Sequence, residues 1–382
     1  MDTITTSHDG EDPVSRMRRL QSERRSRGGD VMAGVLSAYI TTPRDTALEA
    51  ELDGLIDSFL LTQEAASSGT ARQVGRLREG RSLTVTGQSG AGKTRTLERH
   101  FHRREEFAGY GDPDSDCVLV SVTTPSPCTL RLLGNEILAA IGSPVERRLD
   151  ENVVWDMVHR NLALRGVRFL HIDELQHVLQ SRNPVEIGKV QDTLKRLMQN
   201  KDWPVWLILS GLPEIGRFFA QDEQVWRRSR HVVFGDLTLE GDADLVRRLL
   251  TDYGKGKAKL TLDGVTDEPF IARLLHAALG RFGIVIEIIQ DAIRESLRKE
   301  TGTLAVTHFA DAYKARTGCQ PEANVFTAQG DWWLIRPQEG LVREEPQEED
   351  GDEEEDDKPR RGRKSRKAGK SRKTQPRDRR NP

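Results

Sequence analysis

The stretch GQSGAGKT at residues 87–94 decides the fold, because its spacing is that of a phosphate-binding loop. Glycines at such positions let backbone N–H groups approach phosphate oxygens without a clash from a Cβ atom. Lys93 is placed to reach the β- and γ-phosphates of a nucleotide such as ATP, and the Thr94 hydroxyl to ligate Mg²⁺. The predicted nucleotide-binding residues of this loop are Gly87, Gln88, Ser89, Gly90, Ala91, Gly92, Lys93 and Thr94.

The alternative is a glycine-rich turn with a chance lysine, and the context of the loop argues against it. An apolar strand is predicted at 82–86, and a helix follows through Thr96, Leu97 and Phe101. Strand and helix patterns then alternate. Further strands are predicted at 117–122, 167–172, 204–210 and 231–234, with helices at 129–141, 152–164 and 184–198. This alternation predicts an α/β fold with a five-stranded, mostly parallel sheet between helices.

A second motif, FLHIDE, occupies residues 169–174. Its apolar residues predict a buried strand that carries two carboxylates to the open end of the sheet. Asp173 is expected to hold Mg²⁺ through water, and Glu174 to act as general base toward the attacking water. The alternative is a surface Asp-Glu pair that caps a helix. With the phosphate-binding loop upstream, the pair favours hydrolysis over phosphate transfer to a small acceptor.

Other polar residues near the predicted strand ends are weaker candidates. Ser210 ends the fourth strand and can hydrogen-bond the γ-phosphate or the water, unless it is only a strand-end serine. Before the fifth strand, Arg227, Arg228 and Arg230 include a candidate that reaches a neighbouring subunit's γ-phosphate. The alternative for all three is a solvated basic helix end.

The region at about 241–316 shows only helical patterns, which predicts a separate small helical domain. In it, Arg281 is either a helix-cap arginine or a phosphate contact. His171 and His177 lie near the acidic pair without a metal-ligand pattern, so ordinary packing or solvent exposure is the interpretation. The three cysteines are far apart and show no zinc or disulfide spacing.

The ends of the chain differ in composition from the middle. We expect a flexible arm at residues 1–30, followed by a helical segment at 31–80. The nucleotide-binding domain is predicted at 81–237, the helical lid at 238–318 and a C-terminal extension at 319–343. Residues 344–357 hold eleven acidic residues and 358–382 hold thirteen basic ones, so a disordered acidic-then-basic tail is expected at 344–382. The whole chain has a net charge of −2 and the tail, with thirteen basic and twelve acidic residues, one of +1, so the body has −3 and no overall basic excess; any DNA contact there would need locally clustered charge.

The basic part of the tail contains an Arg-Gly-Arg core that resembles an AT-hook without its usual proline. The DNA-binding candidates there are Arg360, Arg361, Arg363 and Lys364. The alternative is a generic polycation that pairs with the acidic stretch before it. No apolar run approaches the about 20 residues of a membrane span, and the N-terminus lacks a signal-peptide pattern. A soluble, cytoplasmic protein without a membrane partner is therefore expected.

Taken together, these motifs resemble an AAA+ ATPase, with a five-stranded parallel sheet followed by a small helical lid. Finer features are similar to the TniB/TnsC group of transposition ATPases, relatives of MuB, over roughly residues 45–316. The segments that carry this resemblance are VTTPSPCT at 122–129, HIDELQH at 171–177, SGLPE at 210–214 and the lid segments AVT at 305–307 and FADAY at 309–313.

The resemblance implies an ATP- and Mg²⁺-dependent regulator of DNA transposition. Such proteins assemble on double-stranded DNA as rings or filaments, recruit a transposase, take a target-selection protein as a further partner, and disassemble on hydrolysis. It also favours Arg230 as the intersubunit arginine, because the family's Asn-Arg-Phe aligns with residues 229–231. Gly283 occupies the nearest position to the lid arginine of other AAA+ proteins, and the long tail departs from the family. The rival function is an oligomerising signalling or defence NTPase that does not act on DNA.

Overall fold

The computed structural model describes residues 12–17, 28–67, 79–112, 114–179, 184–220 and 223–337. All of these described residues belong to one compact unit. The predicted arm lies largely outside the described residues. The tail at 344–382, which carries Arg360, Arg361, Arg363 and Lys364, lies wholly outside them.

A five-stranded sheet forms the centre of this unit. Its strands are β1 (Ser82–Gly87), β2 (Leu119–Thr123), β3 (Phe169–Asp173), β4 (Trp206–Gly211) and β5 (Ser229–Phe234). Every pairing is parallel, and the order is β2-β3-β4-β1-β5. Parallel strands place their carboxyl ends at the same edge, so the ends of β1, β3 and β4 meet there. The α/β class predicted from the sequence is confirmed.

Helices cover both faces of the sheet. They are α1 (Gly28–Ser37), α2 (Pro43–Ser67), α3 (Lys93–Arg103), α4 (Leu130–Ala140), α5 (Glu151–Leu164), α6 (Pro184–Gln199), α7 (Glu214–Ala220) and α8 (Glu223–Trp226). β4 shows how the two faces divide. Leu207 and Leu209 pack against α4, α5 and α6, whereas Trp206 and Ile208 pack against α2 and α3. Burial of successive residues on opposite faces explains the continuous apolar runs in the sequence.

The lid follows the sheet. It consists of α9 (Leu239–Leu250), a π-helix (Thr251–Lys257), β6 (Thr261–Asp263), α10 (Glu268–Ala277), α11 (Phe282–Arg298), β7 (Thr303–Ala305) and α12 (Val306–Thr317). The expectation of purely helical structure here was wrong, because β6 and β7 pair in parallel. Strands of three residues are too short to show an alternating pattern, which explains the error.

Segments on either side of the nucleotide-binding domain join the lid. Val35 of α1 lies in the lid core, and the Tyr253 hydroxyl donates to the Ala38 carbonyl at 3.1 Å. The extension, unassigned from sequence, contributes Val325 and Phe326 to the same core. Within the described ranges, no single helix is long and apolar enough to cross a membrane; the bent pair α10 and α11 meets that criterion together, by length and composition alone.

Two glycine-to-alanine substitutions should have opposite effects on stability. A Cβ at Gly80 would lie 2.1 Å from the Val205 carbonyl oxygen, so Gly80→Ala should lower the free energy of unfolding by about 1–3 kcal/mol. Gly54 lies inside α2 with nothing within 4 Å of its Cβ position, so Gly54→Ala should raise it by roughly 0.5–1 kcal/mol. Urea unfolding followed by circular dichroism measures the free energy of unfolding of both variants. A change in the same direction in both variants would contradict the packing around these two glycines.

Candidate functional site

The phosphate-binding loop joins β1 to α3 with the backbone geometry its sequence predicts. Gly90 and Gly92 have φ angles of 77° and 92°, in the left-handed region that favours glycine. Lys93 begins α3 and is 6% exposed. Its ammonium donates to the Gly87 carbonyl at 2.7 Å and to the Gln88 carbonyl at 3.2 Å. The lysine is thus held across the mouth of the loop, where a phosphate can replace these carbonyls.

The charge of Lys93 is balanced by the acidic pair. Burial lowers the pKa of Lys93, and the carboxylates of Glu174 and Asp173 act in the opposite direction. The two sequence motifs therefore meet in space, because both lie at the carboxyl ends of parallel strands, with β4 between β1 and β3. The buried ammonium is the positive group that an anionic phosphate would meet at this loop.

Asp173 is the central residue of the site. Its Oδ2 accepts from the Thr94 hydroxyl at 2.6 Å, and its Oδ1 accepts from the Ser210 hydroxyl and from the Glu174 amide. Burial alone would raise the pKa of Asp173, but the hydrogen bonds from Ser210 and Thr94 hold it below its usual range. Asp173 is thus a carboxylate whose two oxygens are fixed by the loop and by β4.

Glu174, the predicted general base, has an unusual backbone. Its φ of 53° places a non-glycine residue in the left-handed region, at a cost of about 1–2 kcal/mol. Gln176 donates through Nε2 to the Glu174 carboxylate, and its Oε1 accepts from the Leu212 amide at 3.2 Å. Glu174 is therefore connected to the end of β4 through Gln176.

Sequence reasoning missed Gln176. In the sequence, Gln176 is only an amide side chain two residues after Glu174. Its role becomes visible only once the fold places it between Glu174 and Leu212. A Cβ at Gly211 would lie 2.3 Å from the Gln176 Oε1, so the glycine leaves room for this connection.

Ser210 lies where the sequence predicts, at the end of β4 and beside the acidic pair. It is fully buried, and its hydroxyl also lies 2.8 Å from His171 Nε2. His171 is 2% exposed, and burial lowers its pKa to about 4, so the ring is uncharged at neutral pH. The interpretation of His171 as a packed residue captures its burial. It missed the hydrogen bonds on both ring nitrogens.

The donor set fits a magnesium nucleotide. Thr94 and Asp173 offer hard oxygen ligands, and Mg²⁺ is usually bound by one or two such groups together with water and substrate phosphates. Among the described residues no cluster of three His, Cys, Asp or Glu side chains is suited to hold a metal alone. Bound Mg²⁺ would neutralise charge on the phosphates. Lys93 would orient the phosphates from the mouth of the loop.

The lid touches the loop directly. The Gly283 amide donates to the Gly90 carbonyl at 2.8 Å, and Phe282 lies against Gly92. Arg281 precedes α11 at its N-cap position but forms no side-chain cap; its guanidinium pairs with Asp236 at 2.9 Å. The Arg281 side chain therefore does not cap α11, which was one of the two roles that the sequence suggested. The start of α11 instead positions the lid on the loop.

The three candidate arginines have different surroundings. Arg227 pairs with Glu223 at 2.5 Å and Arg228 pairs with Glu79, whereas exposed Arg230 has no ion-pair partner among the described residues. Arg230 was expected before the fifth strand but is the second residue of β5, because the strand begins at Ser229.

Arg230 also lies far from the loop of its own chain. It is in register with Leu83, four residues before Gly87 on β1, which corresponds to about 13 Å along the sheet. β5 pairs on one side only, at the edge of the sheet.

The contact between lid and loop should be sensitive to one methyl group. A Cβ at Gly283 would lie 2.5 Å from the Gly90 carbonyl oxygen, so Gly283→Ala should displace α11 and weaken nucleotide binding by roughly tenfold. Titration with a fluorescent ATP analogue measures this effect. Gly216→Ala in α7 is the control, since nothing lies within 4 Å of its Cβ position. Equal affinities of the two variants would contradict the contact.

Comparison with known proteins agrees with this geometry. Residues 76–219 match the family model of an AAA domain. No curated protein matches the chain. The match to the family contains the loop, the acidic pair and Ser210.

Solved structures share the fold at low identity. Cdc6p from Pyrobaculum aerophilum is 14% identical with a TM-score of 0.53, over 74% of this chain and 70% of that one. ORC2 from Aeropyrum pernix is 13% identical with a TM-score of 0.41, over 70% and 68%. A Walker-type ATPase from Pyrococcus abyssi is 14% identical with a TM-score of 0.38, over 64% and 71%. The similarity to Cdc6p shows a common fold.

Proposed function

Since residues 76–219 carry a P-loop domain of the AAA+ ATPase type, we propose that this chain is an ATP-dependent switch that assembles on DNA and regulates transposition. ATP and Mg²⁺ bind at the loop, with Thr94 and Asp173 toward the metal. Glu174 serves as general base and Ser210 orients Asp173. We assign 81–237 to the nucleotide-binding domain and 238–318 to the lid. The observation that carries the proposal is Arg230, an exposed guanidinium with no ion-pair partner among the described residues.

Assembly explains why Arg230 lies where it does. An arginine about 13 Å along the sheet from its own loop is too distant to contact the same chain's γ-phosphate. On a neighbouring subunit it can neutralise charge in the transition state. The same edge exposes Trp226 by 45% and Val233 by 67%, which is the apolar character of a subunit interface. ATP between subunits would couple hydrolysis to disassembly.

Basic residues on the lid support DNA binding. Residues 247–259 contain five basic residues and one acidic residue. Lys255, Lys257 and Lys259 are exposed and have no ion-pair partner among the described residues. Together with Arg247, Lys255 and Lys259 line an open cavity of about 710 Å³. Uncompensated lysines beside threonine hydroxyls suit a phosphodiester backbone. These residues are a candidate contact besides the basic tail.

Transposition is the finer part of the proposal. It rests on the resemblance of the segments 122–129, 171–177 and 210–214 to the TniB/TnsC group. A transposase would then be the partner recruited by the DNA-bound oligomer, with a target-selection protein as a further partner. A chain that oligomerises with ATP but never binds DNA would fit the rival signalling or defence NTPase.

The position of Arg230 predicts complementation between subunits. Arg230→Ala should lower ATP turnover by about 10³-fold, and Lys93→Ala should abolish it. An equal mixture should regain turnover, because a subunit with Lys93 can meet a neighbour with Arg230. Turnover by steady-state phosphate release measures this, and Arg227→Ala is the matched control, expected near the unmodified rate. A mixture as inactive as its components would contradict the shared site.

The DNA prediction separates the lid from the tail. The variant Glu174→Gln should bind ATP without hydrolysing it. We expect this variant to bind duplex DNA only with ATP, with an affinity that falls as the salt concentration rises. Replacing both Lys255 and Lys259 by Glu should remove about two phosphate contacts and reduce the slope of log K against log salt by about 2. Fluorescence anisotropy at several sodium chloride concentrations measures the slope.

Two further variants complete this experiment. Replacing Arg298 and Lys299 by Glu gives the same charge change on the same lid, but these residues already pair with Glu295 and Asp311, so the slope should not change. Removal of residues 358–382 tests the tail separately. Absence of DNA binding at low salt in all variants would exclude the DNA switch and favour the signalling NTPase.

A further inference from the structure

A line of hydrogen bonds crosses the sheet from β2 to the ATP site. The Tyr110 hydroxyl donates to Ser121 Oγ at 2.7 Å, and Ser121 Oγ lies 3.0 Å from His171 Nδ1. His171 Nε2 lies 2.8 Å from Ser210 Oγ, which donates to Asp173. Ser121 and His171 are direct neighbours in the β2–β3 register.

The direction of every bond follows from counting protons. The Asp173 carboxylate only accepts, so the single proton of Ser210 must point at it. Ser210 Oγ must then accept from His171, so the uncharged ring carries its proton on Nε2. His171 Nδ1 is therefore an acceptor, and Ser121 must donate to it. Ser121 in turn accepts from Tyr110, whose hydroxyl lies 2.7 Å from Ser121 Oγ.

We propose that His171 is a positioning residue that acts on Asp173 through Ser210, with its tautomer set by Ser121 and Tyr110. If Nε2 lost its proton, Ser210 would turn its hydroxyl toward the ring and leave Asp173 Oδ1. The carboxylate would then be fixed by Thr94 and the Glu174 amide only. The inference rests on the proposed role of Asp173 toward Mg²⁺, and it adds a connection to a surface remote from the loop.

That surface is a cavity of about 420 Å³ beside the edge strand β2, lined in part by Tyr110 and Ser121. The outer end of the hydrogen-bond line thus faces the cavity. His171, in contrast, is 2% exposed and reaches the cavity only through Ser121. A change at Ser121 should therefore be felt at Asp173 without any contact to nucleotide.

The first test reads the tautomer directly. In the full chain labelled with ¹⁵N-histidine, the signals of His171 are those lost in His171→Gln, and they should show a proton on Nε2. Ser121→Ala removes the donor to Nδ1 and should shift the His171 Nδ1 resonance. Ser115→Ala, a serine in the same cavity but outside the line, should leave it unchanged. A proton on Nδ1 in the unmodified chain would overturn the proposal.

The second test compares two substitutions of His171 that differ in where they place an amide. Glutamine puts its N–H near the position of Nε2 and should keep the bond to Ser210, whereas asparagine puts it near Nδ1. We expect His171→Asn to raise the Mg²⁺ concentration for half-maximal ATP turnover about tenfold, with His171→Gln close to the unmodified chain. Affinity for ADP without Mg²⁺ should be equal in both, which controls for folding.

Outcomes of the two tests remain distinguishable from failure of the proposed function. If the two His171 variants have the same Mg²⁺ dependence, the positioning role is wrong. If the unmodified chain hydrolyses no ATP, the proposed function fails, while the tautomer measurement still decides whether the hydrogen bonds have the inferred direction.

Discussion

The carboxylate of Asp173 is the interaction on which the rest of the site depends. Its two oxygens receive hydrogen bonds from Thr94 at the start of α3 and from Ser210 at the end of β4. Three elements that are distant in sequence therefore meet at one buried charge. Such a charge is stable only if its hydrogen bonds are complete, so the order of the central strands β3, β4 and β1 is coupled to the chemistry.

The same carboxylate explains why the site is extended by residues outside the phosphate-binding loop. Gln176 connects Glu174 to the backbone after β4, and His171 connects Ser210 to β2. Each connection replaces water that a polar group at a strand end would otherwise need. The left-handed backbone of Glu174 persists because the surrounding hydrogen bonds fix it. Hydrogen bonds to neighbouring elements thus hold the Glu174 carboxylate in place.

Much of this arrangement could be predicted from local pattern. The loop, the acidic pair and Ser210 carry short-range signals, and a parallel sheet brings strand ends together, so their proximity follows from topology. The partners of His171 could not be predicted, because they depend on the register between β2 and β3. The strands β6 and β7 could not be predicted either, because three residues are too few to show an alternating pattern. The choice of Arg230 over Arg227 came from a resemblance, and only the fold showed that Glu223 already neutralises Arg227.

The bond between the Gly283 amide and the Gly90 carbonyl has a consequence for genetics. It joins main chain to main chain, so no truncation of a side chain can remove it. A substitution that deletes side-chain atoms would leave this bond in place, whereas Gly283→Ala adds an atom that would displace it. This contact between lid and loop therefore depends on two positions that lack side chains. It should persist through most changes of sequence as long as both positions stay small.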